Sequence, residues 1–163
     1  RDFEETKELA DIIRTIDHLN RQESEAISDR MYRNQPFIIS LLLGYQYDVD
    51  ARQLEGITKI LSMIYLFFEQ KTEVERYQIT EQDFIDAEDK NINFFTYFDT
   101  ETTETQHSLT EMDLKEIRFK SLFSAVMHTV LEESYFEQMD FNTKGTIIIG
   151  MKSLIECMEA KLL

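Results

Sequence analysis

The sequence has little of what builds turn-rich, cross-linked or nucleic-acid-binding proteins. It contains one cysteine, one proline, four glycines and no tryptophan among 163 residues. A single cysteine, Cys157, cannot form a disulfide within the chain, so the disulfide framework typical of small secreted domains is excluded. The scarcity of glycine and proline excludes collagen-like and low-complexity chains, and it disfavours a turn-rich sandwich or barrel.

Positive charge is also scarce. Seventeen Lys and Arg residues stand against thirty-two Asp and Glu residues, which gives a formal net charge of −15. Direct nucleic-acid binding needs a basic face that displaces counterions, so we expect none. The longest apolar runs, 37–43 and 64–68, fall far short of the roughly 20 residues that span a bilayer, and no signal-peptide pattern is visible. We therefore expect a cytoplasmic protein without membrane contact.

Apolar residues recur at helical spacing through nearly the whole chain. This periodicity predicts an all-α, single-domain bundle of five to six helices over residues 1–163. A long N-terminal helix is expected to run to Pro36, with a bend or exposed stretch at 20–24. A second helix, 37–45, is apolar on nearly every face and is expected at the centre of the bundle.

Short-range signals predict where the later helices begin. Asp50 is expected to cap the third helix, and Thr80 with Asp83 is expected to cap the fourth. The polar stretch between them, 70–78, could include a short extended piece. This stretch is therefore expected to connect the third and fourth helices.

The remaining part of the chain predicts two more helices after a loop at 99–107. Ser108 with Glu111 forms a capping-box pattern for a fifth helix that continues past residue 117. Asp140 or Asn142 is expected to cap the last helix. Its glycines, at 145 and 150, do not match a phosphate-binding loop and instead predict close contact between helices.

Most of the excess negative charge lies in the segment 80–116, which holds eleven acidic and two basic residues. Asp83, Asp86 and Asp89 are three residues apart on the fourth helix, where side chains at that spacing are neighbours. Their arrangement predicts a docking face for a basic partner. A divalent-cation site and a solvated face that keeps the protein soluble are the alternatives.

Histidines offer the other candidate chemistry, because imidazole is the commonest transition-metal ligand. His18 and His128, with Glu132 one turn after His128, are the candidate metal ligands of a metal- or ligand-dependent enzyme built in the bundle. Surface or capping histidines are the preferred interpretation. Cys157 lies between acidic neighbours that raise a thiol pKa, so we expect a buried structural cysteine.

Two aromatic clusters, at 65–68 and 94–98, are expected to belong to the core. The same residues could instead line a pocket for an apolar ligand. Adjacent aromatic residues point about 100° apart on a helix, so part of this apolar surface is left for a second subunit or another protein.

Two segments, QPFIISLLLGY at 35–45 and GTIIIGMKSLIEC at 145–157, resemble a group of uncharacterised bacterial helical proteins. The resemblance implies a bacterial cytoplasmic protein, and it carries no activity, cofactor or site. Taken together, the residues predict a non-enzymatic interaction or regulatory module that needs no cofactor. Its expected partners are a protein with a basic surface and a second copy of itself.

Overall fold

The computed structural model describes residues 2–100 and 117–163, with side chains from residue 3 to 93 and from 117 onward. Within these ranges the chain forms seven α-helices and no strand. The all-α prediction is confirmed, and the helices outnumber the five to six expected. They are α1 (Asp2–Asp17), α2 (Arg21–Asn34), α3 (Pro36–Tyr45), α4 (Ala51–Lys71), α5 (Glu81–Thr100), α6 (Lys120–Glu132) and α7 (Phe141–Leu162), with a 3₁₀ turn, Ser134–Phe136, between the last two.

The prediction of one long N-terminal helix is wrong, because α1 and α2 are separate helices. Asn20 starts α2 by accepting a hydrogen bond from the Glu23 backbone N–H at 2.8 Å. The Glu23 carboxylate accepts from the Asn20 backbone N–H at 3.2 Å, which completes a capping box. Both helices bury one side against the same core, so their apolar stripes looked continuous in the sequence.

The predicted starts of α3, α4 and α5 are confirmed. Pro36 is the first residue of α3, where its missing N–H leaves no helical hydrogen bond unmade. Asp50 and Gln53 form a capping box at the start of α4. Thr80 and Asp83 cap each other at the start of α5, with N–H to oxygen distances of 2.9 and 3.1 Å.

The second half of the chain departs from the prediction in two places. The predicted helix past residue 117 begins only at Lys120, and the buried Phe119 precedes it. The Phe119 backbone N–H donates to Glu159 on α7 at 3.1 Å, and the Phe119 ring lies 4.9 Å from that of Phe67. These long-range contacts hold Phe119 outside the helix. α5 extends to Thr100, while the rest of the predicted loop and the Ser108–Glu111 cap lie outside the described residues.

The connection between α4 and α5 contains no β-strand. α4 continues to Lys71, Thr72 has an extended backbone, and turns and irregular chain follow it. At the start of α7, Asp140 occupies the N-cap position, as expected for one of the two candidates. Its side chain makes no capping hydrogen bond there. The backbone therefore begins α7 at the expected place without the interaction that predicted it.

The centre of the bundle is α4 and not α3, which corrects the prediction. α4 contacts α1, α2, α3, α6 and α7, and its aromatic residues Tyr65, Phe67 and Phe68 are fully buried. α3 buries only Ile38 completely, and its outer side remains exposed. Neither α4 nor any other helix in the described ranges is long and apolar enough to cross a membrane.

Two glycines allow close contacts, but only one was expected to. A Cβ at Gly150 would overlap the Tyr45 hydroxyl, whereas a Cβ at Gly145 would have no neighbour within 4 Å. The other close approach is at Gly56, in the second turn of α4. There a Cβ would lie 2.7 Å from both Tyr135 and Phe136 of the 3₁₀ turn.

Gln35 joins the α2–α3 junction to the connection between α4 and α5. Its side chain is fully buried. Nε2 donates to the carbonyl oxygens of Val74 and Tyr77, both at 2.7 Å, and Oε1 accepts from the Ile79 N–H at 3.0 Å. One amide group thus satisfies three backbone groups of the connection that leads into α5.

We expect Gln35→Ala to lower the free energy of unfolding by at least about 2 kcal/mol, because it leaves buried backbone groups without their partner. Urea unfolding followed by circular dichroism measures this change. Gln70→Ala is the matched control, since Gln70 is exposed near the end of α4, and its effect should stay within about 0.5 kcal/mol. Equal stability of the two variants would show that these hydrogen bonds do not hold the connection.

Candidate functional site

The acidic residues at the start of α5 have different roles. Asp83 caps its own helix through Thr80, and its carboxylate also forms an ion pair with Lys161 of α7 at 3.1 Å. The hydrogen bond from the Thr80 backbone lowers the pKa of Asp83 below its ordinary value, and Lys161 lowers it further. The Asp83 carboxylate therefore links the start of α5 to the end of α7.

Asp86 and Asp89 are exposed on the same helix. Asp86 accepts a hydrogen bond from the Gln82 side chain at 2.7 Å. Each three-residue step turns the helix by about 300°, so Asp89 points about 120° away from Asp83. The three aspartates therefore form a curved acidic surface and do not converge on one point.

A groove of about 410 Å³ runs between α5 and α7. Its lining combines three carboxylates, two lysines and a floor of small side chains: Asp83, Asp86, Glu156, Lys90, Lys161, Ala87, Cys157 and Ala160. Lys161 already pairs with Asp83. Asp86 is the lining carboxylate with the greatest exposure to solvent, because Asp83 and Glu156 are partly covered. Asp89 is not among the lining residues.

On the side of α5 away from the groove, an exposed stripe mixes carboxylates with large apolar side chains. Ile85 is 37% exposed and Ile92 is 45% exposed, seven residues apart on one side of α5. Glu81 precedes Ile85 by one turn, and Asp89 follows it by one turn; both are exposed. We call the surface formed by Glu81, Ile85, Asp86, Asp89 and Ile92 the α5 face.

A buried polar cluster lies between α5 and α7 beneath the groove. Lys152 is only 2% exposed, and its ammonium donates to Asn91 Oδ1 at 2.6 Å and to the carboxylate of Glu156. Asn91 Nδ2 donates to Ser153 Oγ at 2.9 Å. This cluster is not predicted from the residue spacing, although Lys152, a lone charge inside a strongly apolar stretch of α7, is a signal for it.

Tyr45 joins this region from α3. Its hydroxyl lies against Gly150, and burial, with a smaller effect from Glu88, raises the pKa of Tyr45 well above its ordinary value. Burial also raises the pKa of Glu88, with a further contribution from Asp89. Tyr45 therefore stays protonated at neutral pH and can act there as a hydrogen-bond donor but not as a base.

The candidate metal ligands are not assembled into a site. His18 is exposed at the end of α1, where Nδ1 lies 2.8 Å from the Arg14 carbonyl oxygen. His128 and Glu132 are both exposed on α6. In the part of the chain that the structure describes, no group of three or more His, Cys, Asp or Glu residues is placed to hold a metal ion. The histidine positions match the preferred interpretation of surface and helix-end side chains.

A second pocket, of about 310 Å³, lies where α4 meets the α1–α2 junction and the 3₁₀ turn. Lys59 lines it and pairs with Asp17 at 3.0 Å and with Glu133 at 3.3 Å. Burial lowers the pKa of Lys59, but the hydrogen bonds and charges of the two carboxylates outweigh burial and leave the pKa raised. Lys59 is therefore a charged structural link and not a nucleophile.

Cys157 is buried, as predicted, and its Sγ donates to the Ser153 carbonyl oxygen at 2.9 Å. Burial raises the pKa of Cys157 to about 12, with smaller contributions from Asp83 and Glu156. The thiolate is the reactive form of cysteine, so this thiol is inert in the folded protein. The predicted structural role fits this environment.

We expect Cys157 to react with Ellman's reagent at pH 8 roughly 1,000-fold more slowly in the folded protein than in urea. Burial raises the thiol pKa from 9.0 to about 12, which lowers the thiolate fraction at pH 8 by about that factor. The chain has no other cysteine, so the absorbance change reports this residue alone. Reaction of the folded protein at the rate of the unfolded chain would contradict the buried, protonated state.

We expect Asp83→Asn to destabilise the protein at pH 7 and to have a progressively smaller effect as the pH falls below 3.8. A carboxylate with a lowered pKa in the folded state contributes stability above its unfolded pKa, which is 3.8 here. That contribution is lost as the pH falls through the lower pKa of the folded state. Urea unfolding from pH 7 to pH 2 measures the change in the free energy of unfolding. Asp29→Asn is the control, because Asp29 is an exposed residue of α2. An Asp83→Asn effect that is independent of pH would contradict the proposed linkage.

The described geometry thus presents an acidic surface on α5, supported from below by a buried polar cluster. The aromatic cluster at 65–68 belongs to the core, as expected, and the side chains of the cluster at 94–98 lie outside the described residues.

The resemblance of residues 35–45 and 145–157 to uncharacterised bacterial helical proteins stays a prediction. No family model, curated protein or solved structure matches this chain.

Proposed function

We propose that this protein is a non-enzymatic interaction module that binds a basic, amphipathic segment of a partner protein through the α5 face. The observation that supports it best is the pair of exposed isoleucines, Ile85 and Ile92, set among exposed carboxylates. Large apolar side chains rimmed by polar groups are typical of protein-binding surfaces. The surrounding carboxylates favour a partner that carries Lys or Arg beside its apolar residues.

The spacing of the two isoleucines favours a helical partner. Seven residues on an α-helix correspond to about 10.5 Å and two turns, which matches the spacing of apolar anchors on an amphipathic helix. The partner's apolar stripe would then cover Ile85 and Ile92 while its basic residues meet Asp86 and Asp89.

Within this proposal the predicted trio of aspartates divides into two roles. Asp86 and Asp89 are the partner-binding residues. Asp83 is a positioning residue, because its carboxylate is already engaged by Thr80 and Lys161. The overall charge of −15 adds long-range attraction that speeds the encounter with a basic partner. We place the module in the cytoplasm, where a lone cysteine stays reduced.

A designed helical peptide of about 18 residues, with leucines on one face and lysines beside them, tests the proposal directly. We expect it to bind the wild-type protein in a fluorescence anisotropy titration, and binding should weaken as NaCl is raised because salt screens exposed charges. Replacing the peptide's lysines by glutamates, or its leucines by serines, should abolish binding.

Matched variants distinguish binding at the α5 face from binding that depends only on the overall negative charge. Asp86→Asn with Asp89→Asn should weaken binding about 5-fold, and Ile85→Ser with Ile92→Ser should weaken it about 10-fold or more. Glu73→Gln with Glu75→Gln removes the same charge from the exposed α4–α5 connection and should change the affinity less than about 2-fold. Equal losses in the two charge variants, or unchanged binding in the isoleucine variant, would refute the proposal.

A further inference from the structure

α3 carries an exposed surface without charge in a strongly charged protein. Residues 34–47 contain no Asp, Glu, Lys or Arg, although the chain as a whole is 30% charged. Leu43 is 52% exposed and Tyr47, in the turn after α3, is 84% exposed. With Ser40 and Gly44, which are also exposed, and the half-buried Pro36 and Ile39, they form what we call the α3 face.

Electrostatics limits which surfaces of two identical acidic chains can meet. Two copies that each carry −15 repel each other, and an interface with two-fold symmetry places each patch against the same patch of the other copy. Every charge near the axis of such an interface would face a like charge. The α3 face avoids this repulsion, whereas the α5 face, with its carboxylates, does not.

The residues that flank the α3 face determine its orientation in such a pair. Arg33 precedes α3 by three residues, and Asp48 follows it by three residues; both are exposed. Within the described residues neither side chain forms an ion pair. An antiparallel arrangement brings Arg33 of one copy to Asp48 of the other at both ends, and it also opposes the two helix dipoles favourably. A parallel arrangement would bring like charges together.

We propose that a second copy of this chain binds to the α3 face, with the two α3 helices antiparallel across a two-fold axis. Gly44 assists a close approach, because no atom lies within 4 Å of the place where its Cβ would be. α3 is ten residues long, which is about 15 Å of helix, so the buried area is below the roughly 800 Å² per partner of a standard stable interface. The pair is therefore a weak, reversible dimer.

Sedimentation velocity from about 5 to about 500 µM, a range suited to a weak dimer, tests the proposal. We expect a concentration-dependent shift from monomer to dimer. Raising NaCl from about 0.05 to about 0.5 M should strengthen the dimer, because salt screens the repulsion between two acidic copies. Basic-peptide binding to the α5 face has the opposite salt dependence, so the failure of one proposal is distinguishable from the failure of the other.

Leu43→Glu should weaken dimerisation at least 10-fold, since it places two like charges near the axis. Leu131→Glu is the matched control, because Leu131 is partly exposed on α6 and receives the same charge, and it should leave the Kd within 2-fold. Circular dichroism confirms that both variants are folded. Asp48→Arg should weaken the dimer, and Arg33→Asp combined with Asp48→Arg should restore it. A monomer at every concentration, or a dimer weakened equally by the Leu43 and Leu131 substitutions, would overturn the proposal.

Discussion

The hydrogen bonds of the buried Lys152 ammonium fix the position of α5 on α7, and the whole candidate site depends on that position. A charge almost completely removed from water is costly unless its partners are well placed. Glu156 lies one turn along α7 and partners Lys152 in any register, whereas Asn91 reaches the ammonium only when α5 lies in this register on α7. Asn91 extends the constraint to Ser153. An apolar residue at 152 would permit several packed registers of similar energy, and the direction in which Ile85 and Asp86 point would then be less well defined.

The constraints on the start and on the middle of α5 are of different kinds. Near its start, Asp83 joins the helix to Lys161 through an exposed contact that salt and acid weaken. Further along, Asn91 joins it to Lys152 through a buried contact that solvent does not reach. Gln35 holds the connection before α5 through hydrogen bonds between its side-chain amide and backbone groups. The orientation of the acidic surface therefore rests on three contacts with elements far away in sequence.

Much of the fold was predictable where the signal is local. Asp50 with Gln53 and Thr80 with Asp83 form reciprocal caps within four residues, and spacing alone reveals such pairs. The position of α3 was not predictable in this way. A helix that is apolar on every side has no amphipathic stripe, so its sequence does not indicate which side is buried. Its low charge suggested burial, but the structure leaves its outer side exposed.

The candidate site was predictable only in part for a related reason. The acidic character of α5 follows from composition, so Asp86 and Asp89 could be chosen correctly as exposed carboxylates. The engagement of Asp83 by Lys161 spans 78 residues, and no local pattern contains that information. The same holds for Lys152 and Asn91, which lie 61 residues apart. Contacts of this range depend on how the helices pack, which the spacing of apolar residues leaves open.

The close seat of the 3₁₀ turn on Gly56 has a consequence for recognising distant homologues of this chain. Glycine in the interior of a helix costs roughly 1 kcal/mol relative to alanine. Here any larger residue would push Tyr135 and Phe136 away from α4. A divergent relative that keeps this contact is therefore expected to keep both the glycine in the second turn of the central helix and the aromatic pair just after the sixth helix.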